Sequence, residues 1–432
     1  MKAGGYGPPA PVAVLQWLIF GLVNLIPVPV VIGHAFGFSG VATAELLQRT
    51  LIVAGVVSLA QVYLGHRLPV LEGSSGLWVS VALALAAVAA SSHLPPLTLW
   101  AGFRGGLIVA GAILALLTVL RGVSRLKQLF SQATTGVYLT LLAVQLIAAL
   151  VPVFVFAGGR FDLASAGLGV LIIVLVLVLA RFGPMALRSY ALLIGVAVGW
   201  VGYRLLPLPL SAGPGVIGSW WPFVANGGIA FQLSVVAVCV IAGLINTTNT
   251  VATLHAMEQV AGRAEGADAI QPADHDRANL VTAAGNLLAG ASGVVGVISL
   301  SSSAALARLG GGTSRRTFAL ASVILVAIGF VPAVVDRLAL LPAAVGAAVL
   351  AVLAIEIAMI GLVNLGRGRR QGAGRRIGCA LVVGLGIMVF GPALLAPLGA
   401  SGRIVLGNGL VMGVVVALAL EAVAARRLPA GS

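Results

Sequence analysis

The sequence predicts an all-α polytopic membrane protein of about 14 transmembrane segments, in a 7+7 inverted repeat whose segments 3 and 10 are broken by short extended strands. Three observations lead to this fold class. First, 60% of the 432 residues are hydrophobic and only 8% are charged, whereas about a quarter of a soluble domain is charged. Second, the apolar residues form stretches close to the ~20 residues that cross a bilayer. Third, each half of the chain contains one Gly/Ser-rich interruption of an apolar stretch.

The apolar stretches follow one another along almost the whole chain, and lipid must cover much of this surface because one core could not enclose it. Their approximate cores are residues 13–32, 46–65, 70–91, 98–120, 135–157, 165–182, 185–205, 228–254, 279–296, 297–311, 317–334, 340–364, 376–397 and 403–424.

The basic residues predict the orientation of these segments. If the N-terminus is cytoplasmic and the segments alternate, 19 of the 25 basic residues fall on the cytoplasmic side. Basic residues gather on that side of membrane proteins, so we expect both termini and the loop 258–277 in the cytoplasm of a cell with this chain in its inner (plasma) membrane. The net charge of +14 is then explained by basic residues at the bilayer surface, and nucleic acid is not expected as a partner.

Metal and cofactor chemistry find little support in the sequence. Cys239 and Cys379 lie in apolar surroundings without the spacing of a disulfide framework or a metal site. The acidic loop 258–277 lacks helical ligand spacing and is typical of a flexible, solvated linker. We therefore expect neither a metal nor a cofactor.

Three polar clusters interrupt the apolar stretches, where polar groups are costly and usually functional. They are "LPVLEGSSGLWVSV" (68–81), "LINTTNTVATLH" (244–255) and "GVISLSSSAA" (296–305). The first and third occupy corresponding positions in the two halves, and paired breaks of this kind indicate a binding site at the junction of inverted repeats. A single serine is more simply explained by close helix packing, but three clusters favour a site. The substrate-binding residues we predict are Ser75, Gly76, Asn246, Thr247, Asn249, Thr250, Ser301, Ser302 and Ser303.

This pattern favours a secondary active transporter over an enzyme or a channel. The five histidines are scattered, and no paired acids sit at a membrane edge for metal or acid–base catalysis. A channel gives no reason for two broken segments. A small-molecule transporter without catalytic residues accounts for both observations.

Two carboxyl groups inside apolar stretches are candidates for proton coupling. Glu356 lies in "VLAVLAIEIAMIGL" within the twelfth segment, and Glu72 begins the third segment beside Gly73. A carboxyl group in a low-dielectric setting can take up and release a proton. The alternatives are a structural hydrogen bond for Glu356 and an interfacial position near Arg67 for Glu72.

Several stretches resemble a known transporter family. "LQWLIFGLVNLIPVPVVIG" and "HRLPVLEGSSGLWVSV" resemble the first and third spans of the nucleobase–cation symporter-2 family, the xanthine and uracil permeases. "GNLLAGASGVVGVISLSSSAALARLGGGTSRR" resembles that family's ninth and tenth spans. The resemblance implies transport of a nucleobase-like planar heterocycle, a purine or pyrimidine, coupled to H⁺ by an elevator-type movement.

The resemblance also implies two domains. A core domain would comprise residues 1–125 and 226–335, and a gate domain residues 126–225 and 336–432. A homodimer formed through the gate domains is a further implication.

The chain departs from the family pattern at the substrate site. The family places a carboxylate in the eighth span, which corresponds to Asn246 or alternatively Gly243, and a Glu or Gln in the tenth, which corresponds to Ser302. The family's first-span Gln-His pair is Gln16 and Trp17 here. Because the usual acids are absent, transport of an aromatic acid or another small anion on the same fold is the alternative function.

Overall fold

A computed structural model describes residues 10–91, 94–120, 131–157, 160–188, 190–206, 208, 227–261, 272–308, 312–369, 373–395, 397, 402 and 406–427. These residues confirm the fold class. Eight helices are long and apolar enough to cross a membrane, or nine if one bent pair counts as a single span. With the bent pair counted as one span, the two broken segments, the two shorter apolar helices that begin at Ala191 and Gly409, and the helix Pro272–Ser292 complete the 14 segments.

The first seven segments contain nine helices and three short strands in the described residues, and polar caps define several of their starts. Ser39, Ser131 and Asp162 each accept a hydrogen bond from a backbone N–H in the first turn of the helix that follows. The elements are α1 (Ala10–Leu25), α2 (Pro27–Ala35), α3 (Gly40–Tyr63), β1 (Glu72–Ser74), α4 (Gly76–Ser91), α5 (Pro96–Val119), α6 (Gln132–Val155), β2 (Phe156–Ala157), β3 (Arg160–Phe161), α7 (Leu163–Phe182), α8 (Met185–Arg188) and α9 (Ala191–Leu205).

The second seven segments form the inverted repeat of the first seven and enter the membrane from the opposite side. Their elements are α10 (Leu233–Ala261), α11 (Pro272–Ser292), β4 (Val297–Ser299), α12 (Ser302–Leu306), α13 (Arg315–Gly329), α14 (Pro332–Leu338), α15 (Ala343–Gly368), α16 (Gly374–Leu394) and α17 (Gly409–Arg427).

The two broken segments meet through their strands. β1 pairs with β4 antiparallel, and Glu72 lies opposite Ser299, Gly73 opposite Ile298 and Ser74 opposite Val297. This pairing satisfies backbone groups that lipid could not satisfy. Because the strands are antiparallel, α4 and α12 leave the pair at opposite ends.

Local sequence explains how each break arises. Gly293 has a φ of +65°, a conformation that favours glycine and ends helices. It ends α11, and the next N–H, that of Val294, donates to the carbonyl of Ala289 at 2.8 Å. In the first half, the Ser75 hydroxyl accepts from the Trp78 N–H at 3.2 Å and so caps the start of α4.

Several details differ from the sequence-based expectations. The first segment is divided at Ile26, because Pro27 and Pro29 interrupt its hydrogen-bond ladder. The eleventh segment bends by 94° between α13 and α14, where Pro332 begins the second helix. The strands β2 and β3 form a hairpin that no sequence signal suggested.

The loop predicted at 258–277 is shorter than expected. Residues 258–261 belong to α10 and residues 272–277 to α11, so the prediction of a flexible linker is wrong for these two ends. Residues 262–271 lie outside the described part of the chain. Within α11, Asp274 and Arg277 form an ion pair of 3.4 Å on successive turns.

Helix packing is closest within two groups of helices. In one group, α5 packs on α10 and α11, and α3 packs on α13. In the other, α6 packs on α15, α16 packs on α17, and α7 packs on α9. The division into core and gate domains at the boundaries given above stays a prediction.

Candidate substrate site

A cavity of about 180 Å³ lies where the two broken segments approach α6, α10 and α15. We call it the central cavity. Leucine and isoleucine side chains form much of its wall, including Leu142, Leu146, Leu350 and Ile357. The residues that bring polar groups or a break in the backbone to it are Asn24, Ser74, Ser75, Gly76, Tyr138, Asn246, Asn249, Ser301, Ser302 and Glu356.

Ser75 and Asn246 join the third segment to the eighth at the cavity wall. The Asn246 side-chain amide donates to the Ser75 hydroxyl at 3.2 Å, and both residues are buried. The same hydroxyl caps α4, so Asn246 helps to hold the first turn of that helix. The N-terminus of this 16-residue helix directs partial positive charge toward the cavity.

The polar run of the eighth segment divides between two sides of α10. Asn246 and Asn249 lie three residues apart, on one helix face, and both line the central cavity. Thr247 and Thr250 are buried and do not line it. The Thr247 hydroxyl donates to the carbonyl of Leu244 in its own helix at 2.7 Å. These two threonines are therefore placed for helix packing.

The structure also separates the two alternatives for the family's eighth-span position. Gly243 faces α5 and α4, because a Cβ added to it would lie 3.2 Å from the Ala110 Cβ and 3.7 Å from the Trp78 ring. Asn246 is the one of the two that lines the central cavity.

The serines of the tenth segment have different surroundings. Ser301 and Ser302 line the central cavity. Ser303 is fully buried and its hydroxyl accepts from the Leu71 N–H at 3.1 Å. The Leu300 N–H donates to the Leu71 carbonyl at 2.9 Å. Ser303 thus joins the two repeats and contributes nothing to the cavity wall.

The two carboxyl groups lie in contrasting environments. Glu356 lines the central cavity from α15, and its side chain is exposed. Glu72 is fully buried and lines neither of the cavities described here. Its carboxylate accepts from the Ser299 hydroxyl. The basic group beside it is His66, at 3.8 Å, whereas Arg67 is exposed.

A second, larger cavity of about 490 Å³ adjoins the first, and we call it the vestibule. Four residues line both cavities: Asn24, Ser302, Leu353 and Glu356. Arg188 and Arg308 line the vestibule, as does Gln16. Glu356 therefore stands where the two cavities meet.

Trp17, which replaces the family's first-span His, is buried away from both cavities. Its ring packs edge-on against Phe318 of α13, with centroids 4.9 Å apart.

Sequence reasoning missed two residues that line the cavity, Asn24 and Tyr138, and one that supports it, Asn286. Asn24 carried a signal, since it is a polar residue within an apolar segment. Tyr138, from the fifth segment, carried none. Asn286 does not line the cavity, but its side chain donates to the Val297 carbonyl at 3.2 Å and accepts from the Val297 N–H at 3.1 Å. It thereby holds β4, and its place was visible only once α11 and β4 were seen together.

The chemistry of this site is that of binding. Amides and hydroxyls offer hydrogen-bond donors and acceptors, and Glu356 adds one carboxyl group. Among the described residues, no group of three or more His, Cys, Asp or Glu side chains is placed to hold a metal ion. A helical membrane fold whose two broken segments meet at a polar cavity defines a membrane transporter.

Comparison with known proteins gives the family. The chain belongs to the xanthine/uracil permease family, because the model of that permease family matches residues 10–392. The "Putative purine permease YwdJ" of Bacillus subtilis is 26% identical over 94% of each chain. The "Uric acid permease PucJ" of the same organism is 26% identical over 94% of this chain and 90% of that one. Its "Xanthine permease" is 23% identical over 95% and 92%. The chain is therefore a permease and not an enzyme.

Solved structures support the fold. The transmembrane domain of the cyanobacterial bicarbonate transporter BicA matches with a TM-score of 0.62 and 13% identity, over 96% of this chain and 97% of that one. The murine anion transporter Slc26a9 in its inward-facing state matches with a TM-score of 0.64 and 13% identity, over 99% of this chain and 69% of that one. At this identity the likeness concerns the fold alone.

Proposed function

We propose that the chain transports a nucleobase-like planar heterocycle, a purine or pyrimidine, together with H⁺. The observation that carries the proposal is the central cavity itself. It combines amides from α10 and hydroxyls from both broken segments with the carboxyl group of Glu356 from α15.

The cavity suits a flat ring with alternating donors and acceptors at its edge. Asn246 and Asn249 each offer a donor and an acceptor, which match the amide-like edges of a base. The apolar walls from Leu142, Leu146 and Ile357 would cover the ring faces. Relatives named as purine, uric acid and xanthine permeases support this substrate class.

Glu356 is our candidate for the proton carrier. The usual family acids are Asn246 and Ser302 in this chain, so Glu356 is the carboxyl group that remains at the cavity. Its place between cavity and vestibule would let it exchange a proton with water and with the site in one cycle. Glu72 is the second candidate, although it lies outside both cavities.

The boundary between the proposed domains runs through the site. Ser75, Asn246 and Ser302 would belong to the core, and Tyr138 and Glu356 to the gate. The core approaches the gate closely at Gly76, where an added Cβ would lie 3.2 Å from the Ile357 side chain and 3.3 Å from Leu146. An elevator-type movement of core against gate would carry the bound base past Glu356. Arg188 and Arg308 lie on the side predicted to be cytoplasmic, so the vestibule would open inward.

A second candidate, transport of a small organic anion such as an aromatic acid, rests on one observation. Arg188 and Arg308 both line the vestibule, and such cations would raise the local concentration of anions. The central cavity, by contrast, has no Lys or Arg among its described lining residues.

Uptake into proteoliposomes would test the function and separate the two candidates. The panel would contain labelled purines, pyrimidines and aromatic acids, each with and without an imposed pH gradient. We expect gradient-driven accumulation of at least one purine or pyrimidine. Accumulation of aromatic acids alone would favour the second candidate, and no pH dependence for any compound would contradict proton coupling.

A further inference from the structure

A buried acid–base pair lies at the strand junction, outside the central cavity and the vestibule. The side chains of Glu72 and His66 are both 0% exposed, and His66 Nε2 lies 3.8 Å from Glu72 Oε1. Burying ionisable side chains is costly unless they are paired and hydrogen-bonded. With Glu356 as the proton carrier, the transport step outlined above makes no use of this pair, so its presence calls for another explanation.

The hydrogen bonds of the pair are incomplete in a specific way. His66 Nδ1 accepts from the Leu68 N–H at 3.0 Å, so a neutral ring carries its proton on Nε2. Glu72 Oε1 accepts from the Ser299 hydroxyl. In the described part of the chain, His66 Nε2 and Glu72 Oε2 have no hydrogen-bond partner. The imidazole cannot take a second proton without losing its hydrogen bond from the Leu68 N–H, whereas Glu72 Oε2 is free to take one.

Among the described elements, α1, α3 and β4 make the main contacts with β1. From α1, Leu25 lies close to Gly73. From α3, the Ser58 hydroxyl accepts a hydrogen bond from the Glu72 N–H at 2.9 Å. From β4, the Ser299 hydroxyl donates to the Glu72 carboxylate. The ionisable group that the described residues place against Glu72 is therefore His66.

The junction connects this carboxyl group to the substrate site. Glu72 opposes Ser299 in the strand register. Ser75 and Gly76 follow Glu72 in the chain, and Ser301 and Ser302 follow Ser299; all four line the central cavity. A carboxylate is a stronger hydrogen-bond acceptor than a protonated carboxyl group. Protonation of Glu72 would therefore weaken its bond to Ser299 and loosen the junction.

We propose that Glu72 is a proton-binding site, distinct from Glu356, whose protonation state controls the β1–β4 junction, and that His66 is its positioning residue. The proton is taken from water onto Oε2 and returned to water past His66, which adjoins the exposed Arg67. The consequence for the substrate site rests on the proposed function, but the proton-binding site itself does not.

The test measures thermal unfolding of the purified full-length protein without substrate, from about pH 5 to about pH 9. A group that binds protons differently in folded and unfolded chains makes stability depend on pH. Glu72→Gln should remove one component of the pH dependence of Tm. It should remove the same component in a Glu356→Gln background, which separates the two carboxyl groups.

His66→Asn provides a second variant, because its side-chain oxygen can still accept from Leu68 while the group facing Glu72 is lost. We expect it to move the pH range of the Glu72 component. Two results would overturn the proposal. One is a fall in Tm for Glu72→Gln that is equal at every pH, which would mark a purely structural hydrogen bond. The other is an effect of Glu72→Gln on the pH dependence of Tm that vanishes in the Glu356→Gln background.

If Glu72→Gln does not fold, Ser299→Ala and His66→Asn decide the matter. An unchanged pH profile of Tm in both would overturn the proposal. Because these measurements contain no substrate, a failure of the uptake panel would leave their result intact. Conversely, if purine uptake succeeds while the substitutions leave the pH profile of Tm unchanged, that combination would contradict only the Glu72 proposal.

Discussion

Asn246 donates a hydrogen bond to Ser75, and we expect the rest of its amide to bind the proposed substrate. Its amide group donates to Ser75 and lines the central cavity. Asn246→Ala should weaken binding of a transported purine by roughly 5- to 150-fold, since a buried polar partner left unpaired costs about 1–3 kcal/mol. Equilibrium binding to purified protein would measure it.

Thr247→Ala is the matched control for Asn246→Ala, because Thr247 is the next residue of α10 and bonds only to its own helix in the described contacts. The affinity of the Thr247→Ala variant for the purine should stay near that of the unaltered protein. Equal losses in both variants would mean that α10 as a whole, rather than the amide, is responsible.

Glu356→Gln should separate binding from coupling. Glutamine has nearly the shape of the protonated carboxyl group but cannot release a proton. Exchange of substrate across proteoliposomes should persist, while accumulation driven by a pH gradient should be lost. Both rates are measured in the same vesicles. Normal accumulation by this variant would make Glu356 a structural residue and return coupling to Glu72 or to another cation.

At the scale of elements, the serines of the tenth segment should respond differently to the same substitution. Ser303→Ala leaves the buried Leu71 N–H without its acceptor and should lower the free energy of unfolding by about 1–3 kcal/mol. Ser301→Ala alters the cavity wall and should weaken binding with little change in stability. Thermal unfolding and purine binding, both measured for each variant, would reveal the contrast; the reverse pattern would contradict the assignment.

The elements show what a sequence can and cannot predict here. The breaks in segments 3 and 10 were predictable because Gly/Ser runs interrupt apolar stretches, and lipid forbids free backbone groups. The different environments of Ser302 and Ser303 were not predictable. They depend on how α12 turns beside Leu71, a contact between residues 232 positions apart. Tyr138 was equally hidden, because an aromatic residue in an apolar helix gives no sign of facing a cavity.

The whole molecule has an orientation that the charges predict. Thr313 is exposed between α12 and α13, on the side predicted to be cytoplasmic, and Phe161 is 63% exposed in the β2–β3 hairpin on the other side. We expect a membrane-impermeant thiol reagent applied to intact cells to label Phe161→Cys and not Thr313→Cys. The exposed Cys379 would first be replaced, while the buried Cys239 can remain. Labelling of Thr313→Cys alone would contradict the predicted orientation and indicate the opposite one.

The pairing of β1 with β4 has a consequence for biogenesis. The hydroxyl that contacts Glu72 belongs to a residue 227 positions later, so a ribosome completes the first seven segments before the partner strand exists. Until then the backbone groups of β1 that pair with β4 lack their partners, at a depth where no water replaces the missing strand. The nascent first half must therefore remain sheltered at the insertion machinery, or hold its third segment near the membrane surface, until the tenth segment arrives.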